Sequence, residues 1–225
     1  MTTVLILTSG RPTNKAWDKT PPLKIELETN KSLIKVAGTT ILGLQMELLL
    51  RNKLYNVYVS LGYRANEIRE YCNKQGYHVI FINDEHWEHG AYSSARTLWE
   101  IQTLLLQLPT PLITLYNDVI FDQTTLTNLL KCNADVCCMY NSQNIIKWSK
   151  KGLEELINIL NEDEQYRFNW DGLSYPVWGR LRWNDDISFS NIQDGLMLNI
   201  TNDNMYRRLK EMSLDWVKNV NIVSE

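Results

Sequence analysis

The stretch PLITLYNDVIFD, residues 111–122, is the starting point for interpreting the fold. It contains an apolar segment typical of a buried strand, and this segment ends in polar residues. Its mostly apolar run from 112 to 115 stops at Tyr116, Asn117 and Asp118, and apolar residues resume at 119. A buried carboxylate is costly unless a cation or hydrogen bonds compensate for its lost hydration. Two interpretations of Asp118 follow: a carboxylate that binds a cation, or an ordinary capping or solvent-facing residue.

Composition and length indicate a single folded domain. Of the 225 residues, 44% are hydrophobic, and the chain carries 8 tryptophans and 11 tyrosines, which argues against disorder. The formal net charge of −3 does not indicate a nucleic-acid partner. No apolar run approaches the ~20 residues of a membrane-spanning helix, and the first residues lack the basic leader of a signal peptide. We therefore expect a cytoplasmic protein that binds neither nucleic acid nor membrane.

The four cysteines, Cys72, Cys132, Cys137 and Cys138, show no paired spacing. In a cytosolic protein this pattern favours reduced, partly buried thiols. Cys137 and Cys138 lie in the apolar stretch DVCCMY, which predicts a strand. Because successive side chains of a strand point to opposite faces, we expect these two thiols on opposite sides of the sheet.

Hydrophobic periodicity predicts an alternation of strands and helices. Strands are predicted at residues 4–7, 32–36, 56–61, 78–82 and 111–116, and helices at 39–52, 65–75 and 93–107. Residues 11–30 are polar and contain prolines, so we interpret them as a loop, whose length is typical of a functional segment. After residue 139 the pattern weakens and leaves predicted helices at 149–161 and 204–212.

This alternation predicts an α/β fold with a mostly parallel sheet flanked by helices. We interpret residues 1–225 as one domain, with a core at 1–140 and a shorter, largely helical part at 141–225. Sheets of this kind bind ligands beyond the carboxyl ends of their strands. The turn at residues 8–10 and the pair at 117–118 both fall there, so the sequence places its candidate site at this edge.

The polar residues at this edge have the chemistry to hold a metal-bound phosphate. Mg²⁺ prefers oxygen ligands and often takes one or two carboxylates together with phosphate oxygens. A backbone turn followed by an arginine can hold those phosphates, and Lys31 is a second candidate cation, with a solvated loop lysine as the alternative. The candidate residues are Thr8, Ser9, Gly10, Arg11, Lys31, Asn117 and Asp118.

Five segments resemble, in order, those of the sugar-phosphate and small-alcohol-phosphate nucleotidyltransferases. They are VLILTSGRPT from residue 4, TNKSLIKVAGTTILGLQMELL from 29, YNVYVSLGYRANEIREY from 55, VIFINDEHWEHGAYSSARTL from 79 and LYNDVIFD from 115. The resemblance covers about residues 3–140. It implies a Rossmann-like domain of the GT-A type, with a nucleotide-binding core at 1–140 and a shortened acceptor side at 141–225.

The resemblance implies roles for residues of the core. Lys31 takes the place of the family's lysine, and Asn30 stands where the family has a proline. Asp118 falls at the metal aspartate, which implies Mg²⁺ as the cofactor. The pair Tyr92-Ser93 is similar to that of the small phosphocholine and phosphonate cytidylyltransferases, which are nearest in length. It implies that these two residues, with Asn117, contact the nucleotide.

The tail departs from the family. The segment LMLNITNDNMYRRL, from residue 196, resembles the one whose first aspartate is commonly the second metal ligand. Thr201 stands at that position here, and the nearby carboxylates are Asp203 and Asp194. We take Asp203 as the candidate second ligand.

The resemblance implies transfer of a nucleoside monophosphate, with CMP favoured, from a nucleoside triphosphate to a small phosphorylated or phosphonate acceptor. A sugar-1-phosphate nucleotidyltransferase, or a nucleotide-binding module that has lost turnover, remains open because the second carboxylate is replaced. A glycosyltransferase is disfavoured, since such enzymes usually carry Asp-x-Asp where this chain has Tyr116, Asn117 and Asp118. The oligomeric state stays open, with a homodimer among the alternatives.

Several other side chains have both a functional and a structural interpretation. Ser93 and Ser94 can donate to a base or ribose, or can cap a helix. His86 and His89 have a metal-like spacing, but no second cluster accompanies them, so zinc is not expected. Asp122 is predicted to cap a helix. The tryptophans at 148, 170, 178, 183 and 216 are interpreted as core, with an aromatic cage for a quaternary ammonium group as the alternative.

Overall fold

A computed structural model describes residues 1–8, 29–36, 38–83, 94–139, 144–162 and 175–199. Its strands are β1 Thr3–Leu7, β2 Lys35–Val36, β3 Thr39–Thr40, β4 Asn56–Leu61, β5 Ile80–Asn83, β6 Leu112–Tyr116, β7 Val119–Phe121, β8 Val136–Met139, β9 Ile145–Trp148, β10 Phe189–Ile192 and β11 Met197–Asn199. Its helices are α1 Ile41–Arg51, α2 Ala65–Gln75, α3 Ser94–Glu100, α4 Gln102–Gln107, α5 Gln123–Lys131, α6 Lys150–Glu162 and α7 Tyr175–Arg182, with a 3₁₀ helix at Lys31–Leu33.

The described strands form a seven-stranded sheet in the order β10-β8-β9-β6-β1-β4-β5. β1 lies between β4 and β6 and is parallel to both. Within this sheet, β9 runs antiparallel to its two neighbours, β6 and β8. From β1 the chain adds β4 and β5 on one side and β6 on the other, so the strand order reverses between β1 and β6. The predicted α/β fold with a mostly parallel sheet is confirmed.

Both faces of the sheet are covered, which explains why residues 4–7 of β1 are an uninterrupted apolar run. All five residues of β1 are buried. Val4 and Ile6 pack into one cluster with apolar residues of α1, α2 and α5. Leu5 and Leu7 point the other way and pack with α3, α4, α6 and α7. The alternation along one strand therefore supplies two cores.

The chain leaves the sheet directly after β6. Asn117 and Asp118 form the turn to β7, which pairs antiparallel with β11 in a separate two-stranded ribbon. Asp122 then begins α5, where its side chain accepts a hydrogen bond from the N–H of Thr125 at 2.7 Å. The predicted helix cap at Asp122 is confirmed, and the turn at 117–118 is held between two buried strands.

Two predicted elements of the core differ in detail. The strand predicted at residues 32–36 is a 3₁₀ helix followed by the short β2, because the side chain of Asn30 accepts from the N–H of Ser32 and caps a helical turn. The helix predicted at 93–107 is divided into α3 and α4 at Ile101. The helix predicted at 204–212 lies outside the described residues. No helix in the described ranges is long and apolar enough to cross a membrane.

The weak pattern after residue 139 concealed a central strand. β9 is fully buried between β6 and β8, although it contains Lys147. The ammonium of Lys147 donates to the carbonyl oxygens of Leu130, at 3.1 Å, and Cys132 at the end of α5. Burial lowers the pKa of Lys147. A lysine inside a four-residue strand obscured its apolar character, and the compensating carbonyls come from another element.

The expectation of four reduced cysteines is wrong. Cys132 and Cys137 form a disulfide with a Cα–Cα distance of 6.5 Å, while Cys72 and Cys138 are free and buried. Cys132 ends α5, and Cys137 lies on the face of β8 that packs against α5, so the fold brings together two residues without a recognisable spacing. Cys138 packs into the other core, which confirms that Cys137 and Cys138 face opposite sides.

Candidate functional site

The carboxyl ends of β1 and β6 lie side by side where the strand order reverses. Leu7 pairs with Tyr116 in the parallel register. Thr8 and the pair Asn117-Asp118 follow these two positions, so they are neighbours at one edge of the sheet. Open α/β sheets bind ligands at this topological position. The fold therefore brings together two segments that the sequence predicted to share a site.

Asp118 is a largely buried carboxylate whose two oxygens have different surroundings. The residue is 9% exposed. Its Oδ2 lies 3.7 Å from the Nζ of Lys31. Its Oδ1 is buried and has no hydrogen-bond partner among the residues that the structure describes. An unpartnered buried acceptor costs ~1–3 kcal/mol, and more when it is charged.

A divalent cation fits this arrangement. Mg²⁺ takes carboxylate oxygens and keeps open positions for phosphate and water. The unpartnered Oδ1 of Asp118 is an oxygen of the required type, and Asn117, 9% exposed, lies beside it in the same turn. Lys31 places positive charge on the other carboxylate oxygen. The two side chains together suit the binding of an anion that carries its own metal ion.

Lys31 reaches Asp118 from the 3₁₀ helix that precedes β2. The segment is joined to α1 by a hydrogen bond from the N–H of Ile41 to the carbonyl oxygen of Ile34 at 3.2 Å. The ammonium of Lys31 is paired with a buried carboxylate, so the lysine is not an ordinary solvated loop residue. Its contact with phosphate stays a prediction.

Gln45 of α1 holds the turn that carries Asp118. It is 1% exposed, and its Nε2 donates to the carbonyl oxygens of Tyr116 and Val119, both at 2.8 Å. These two carbonyls flank the turn at 117–118. Both donor hydrogens of one amide are thus committed to a single turn, which fixes its backbone. Sequence reasoning missed Gln45, although a lone polar residue on the apolar face of α1 was the available signal.

Thr8 gives all of its polar groups to the protein. Its N–H donates to the Oγ of Ser60 at 3.1 Å, and its hydroxyl donates to the carbonyl oxygen of Ser60. Its own carbonyl oxygen accepts from the Nδ2 of Asn30 at 3.0 Å. Thr8 therefore joins the end of β1 to β4, through Ser60, and to Asn30. Direct contact between Thr8 and a nucleotide stays a prediction.

Ser94 and Tyr116 join the start of α3 to the end of β6. Their hydroxyl groups share a hydrogen bond. Tyr116 precedes the Asn117-Asp118 turn, so this contact brings the start of α3 close to the candidate site. Sequence reasoning named Ser94 but missed Tyr116, whose hydroxyl partner belongs to a separate helix 22 residues earlier in the sequence. A bond from Ser94 to a base or ribose stays a prediction.

No protein-family model and no curated protein sequence matches the chain. Solved structures do. A Bacillus anthracis protein assigned as a glucose-1-phosphate thymidylyltransferase, in complex with a sucrose, superposes with a TM-score of 0.67 at 12% identity over 96% of each chain. The CTP:phosphocholine cytidylyltransferase of Streptococcus pneumoniae gives a TM-score of 0.61 at 13% identity, covering 94% of this chain and 98% of that one. The inositol-1-phosphate CTP transferase of T. maritima gives 0.60 at 13% identity over 96% of each chain.

The chain has the nucleotidyltransferase fold. The superposition spans nearly the whole length of each of these structures, so it includes the part after residue 140 that the sequence resembled only weakly. At this level of identity the likeness establishes the fold and leaves the substrates open.

Asp194, one of the carboxylates considered for a second metal ligand, does not lie beside Asp118. In the β7–β11 ribbon, Asn199 is opposite Val119 and Met197 is opposite Phe121. Asp194 precedes β11 and therefore lies beyond the Phe121 end of the ribbon, at the end remote from Asp118. Its carbonyl oxygen accepts from the Nδ2 of Asn128 on α5 at 3.1 Å. Residues after Asn199, Asp203 among them, lie outside the described residues.

Several residues considered in the sequence analysis lie outside the described ranges. They are Ser9, Gly10, Arg11, Tyr92, Ser93 and Asp203, together with His86, His89, Trp170 and Trp216. Within those ranges, no group of three or more His, Cys, Asp or Glu side chains is placed to hold a metal ion. The described part of the site offers the carboxylate of Asp118, with Lys31 beside it; metal binding by Asp118 stays a prediction.

The described tryptophans do not line one cage. Trp148 is fully buried in the core, where its Nε1 donates to the Oγ1 of Thr114 at 3.0 Å. Trp178 packs edge-to-face on Phe189, with ring centroids 5.1 Å apart. Trp183 is 79% exposed. The core interpretation is therefore confirmed for Trp148.

Proposed function

We propose that the protein is a nucleotidyltransferase that transfers CMP from CTP to a small phosphorylated or phosphonate acceptor and releases pyrophosphate. One observation carries the proposal. Asp118, at the point where the strand order reverses, has one buried oxygen without a described partner and the other 3.7 Å from the ammonium of Lys31. A carboxylate oxygen for a divalent cation, with an ammonium group beside it, suits the binding of a triphosphate that carries such a cation.

In the proposed reaction an acceptor oxygen attacks the α-phosphorus in line. The new O–P bond forms as the bond to the bridging oxygen breaks, and pyrophosphate leaves with that electron pair. The acceptor is already an anion, so the protein need not remove a proton. Catalysis then consists of positioning and charge neutralisation.

Each described residue has a place in this scheme. Asp118 would hold a Mg²⁺ ion, which would supply charge neutralisation at the phosphates. Lys31 adds a positive charge whose position is already set before the nucleotide arrives. Gln45 keeps the turn of Asp118 rigid by its bonds to the backbone on both sides of that turn. A preorganised site of this kind avoids reorganisation during the reaction.

The preference for CTP is the finer part of the proposal. The resemblance to the small cytidylyltransferases supports it, as do two of the similar structures, which are named for their use of CTP. A pocket that hydrogen-bonds the edge of cytosine penalises bases that leave its own polar groups unpaired. We propose such a pocket near Ser94, whose hydroxyl shares a hydrogen bond with that of Tyr116 at the end of β6.

Pyrophosphate release tests the proposal. The purified chain is incubated with Mg²⁺ and each of CTP, UTP, dTTP, ATP and GTP, alone and with phosphocholine, a phosphonate, inositol 1-phosphate or glucose 1-phosphate. We expect release that requires CTP, an acceptor and Mg²⁺ together, and that EDTA abolishes. Absence of release with every combination contradicts the enzymatic proposal. Turnover with dTTP and a sugar 1-phosphate instead assigns the protein to the sugar-phosphate branch.

A nucleotide-binding module is the second candidate function. It is favoured by the remote position of Asp194, which leaves Asp118 without a second carboxylate among the described residues. Binding of a Mg²⁺–nucleotide complex without pyrophosphate release in any of the above mixtures supports this candidate.

A further inference from the structure

Asn30 is a fully buried polar residue that joins separate segments of the chain. Its exposed fraction is 0%. Its Nδ2 donates to the carbonyl oxygens of Thr8, at 3.0 Å, and Tyr63, at 2.8 Å. Its Oδ1 accepts from the N–H of Ser32 at 3.0 Å and from the Ser32 hydroxyl at 2.8 Å. An asparagine amide has two donor hydrogens and an oxygen with two lone pairs, so the side chain uses its full capacity.

These contacts surround Lys31. Asn30 and Ser32 flank Lys31 in the sequence, and both belong to the same hydrogen-bonded unit. Thr8 marks the end of β1, and Tyr63 follows β4, the next strand of the sheet. The backbone on both sides of Lys31 is therefore anchored to the sheet edge at which Asp118 lies.

The conformation of the backbone does not by itself explain an asparagine at this position. Asn30 has φ −69° and ψ 141°. Proline fixes φ near −65°, so it fits this backbone, yet it supplies no amide for the carbonyls of Thr8 and Tyr63. The amide, rather than a restricted φ, is what distinguishes Asn30 here.

We infer that Asn30 is a positioning residue that holds the Nζ of Lys31 against Asp118 and couples this pair to the end of β1. Loss of the amide frees the turn from Thr8 and Tyr63, and the lysine then loses its fixed place at the carboxylate. The consequence for nucleotide binding rests on the function proposed above. The consequence for the geometry of the Lys31–Asp118 pair does not.

The first test is structural and needs no substrate. Crystal structures of the wild type, Asn30→Ala and Asn30→Pro give the distance from Lys31 Nζ to Asp118 Oδ2, which is 3.7 Å in the intact chain. We expect both variants to separate the pair beyond contact, because both lose the amide. A pair that stays in place in a folded Asn30→Pro shows that a restricted backbone suffices and overturns the inference.

The second test is a double-mutant cycle on affinity for the Mg²⁺–CTP complex. We expect Asn30→Ala to weaken binding by ~10-fold, which corresponds to about 1.4 kcal/mol. In the Lys31→Ala background the same change is expected to add nothing, because Asn30 acts through the lysine. Equal losses in both backgrounds show a general structural effect and overturn the inference.

Asn52 supplies the matched control. Its Nδ2 donates to the carbonyl oxygen of Leu48 and to Gln123, at the far end of α1. Asn52→Ala removes comparable amide bonds and is expected to leave nucleotide affinity unchanged.

If Asn30→Ala does not fold, Asn30→Pro, which keeps φ, is used for both measurements, the distance and the affinity. If the wild type binds no Mg²⁺–nucleotide complex, the proposed function fails and the crystallographic distances alone decide the role of Asn30.

Discussion

Asp118 and Asp122 are neighbouring carboxylates with different partners, and the same substitution separates their roles. Asp122 accepts from the N–H of Thr125 as the cap of α5, and asparagine caps helices about as well as aspartate. Asp118 has an unpartnered buried oxygen and Lys31 beside the other one. We expect Asp118→Asn to lose at least ~10-fold in affinity for the Mg²⁺–CTP complex and to abolish transfer, while Asp122→Asn stays within ~0.5 kcal/mol of wild-type stability.

Isothermal titration with Mg²⁺–CTP and urea unfolding followed by circular dichroism measure these effects. Asp118→Asn should unfold near the wild-type midpoint, because the amide keeps the shape of the carboxylate. Wild-type affinity in that variant contradicts the assignment of Asp118 as the cation-binding residue. An equal loss of affinity for Mg²⁺–CTP in Asp122→Asn shows that the net charge of this segment, rather than the position of Asp118, is responsible for binding.

At the scale of elements, α1 is fastened to the β6–β7 turn by Gln45. Replacing Gln45 with methionine keeps the volume of the side chain but leaves the buried carbonyls of Tyr116 and Val119 without their donor. We expect Gln45→Met to lower the free energy of unfolding by roughly 1–3 kcal/mol. Urea titration measures the loss, and Gln75→Met, the same change at an exposed position of α2, is the control. An unchanged midpoint for Gln45→Met contradicts the clamp.

The burial and pairing of the four cysteines predict how they react with a thiol reagent. Burial raises the pKa of the Cys72 thiol to about 11 and that of Cys138 to about 12, from an ordinary value of 9.0. Only the thiolate reacts readily, so we expect the native protein to label slowly with a thiol reagent at pH 8 to 9. Unfolding without reductant should expose the thiols of Cys72 and Cys138, and reduction should add Cys132 and Cys137.

The same two thiols, those of Cys72 and Cys138, make the stability of the folded protein depend on pH. Their folded pKa values lie above the unfolded one, so the unfolded chain loses protons first as the pH rises. Stability contributed by the protonated thiols is therefore complete below pH ~9 and falls as the pH rises, toward about 11 for Cys72 and about 12 for Cys138. In the labelling experiment described above, four fast-reacting thiols in the unfolded protein without reductant contradict the disulfide between Cys132 and Cys137.

At the scale of the whole molecule, the net charge of −3 does not attract a triphosphate, so binding depends on the local charges of the site. We expect Mg²⁺–CTP to stabilise the protein against heat more than UTP, ATP or GTP does. At a concentration 100-fold above Kd the gain is about 2.7 kcal/mol. Thermal-shift titrations measure it, with EDTA as the control. Equal or tighter binding of a purine nucleotide overturns the cytidylyl proposal and leaves the fold unaffected.

The sequence alone determined the features that short stretches of chain encode. Apolar runs identified β1, β4 and β6, periodicity placed α2 at the residues that the structure assigns, and Asp122 was identified as a cap. The polar end of the strand at residues 111–116 indicated Asp118. These features depend on residues within a few positions of one another, which is why hydrophobic periodicity and capping chemistry are sufficient to find them.

Only the tertiary structure decided which distant groups compensate one another. The amide of Gln45 bonds across 71 and 74 residues of sequence to the turn of Asp118, and that of Asn30 bonds across 22 residues to Thr8. The carbonyl partners of Lys147 in β9 could likewise not be identified from the sequence. A buried polar group is tolerated only where a partner lies within bonding distance. That distance depends on which strands are neighbours in the sheet, and no local pattern of residues carries this information.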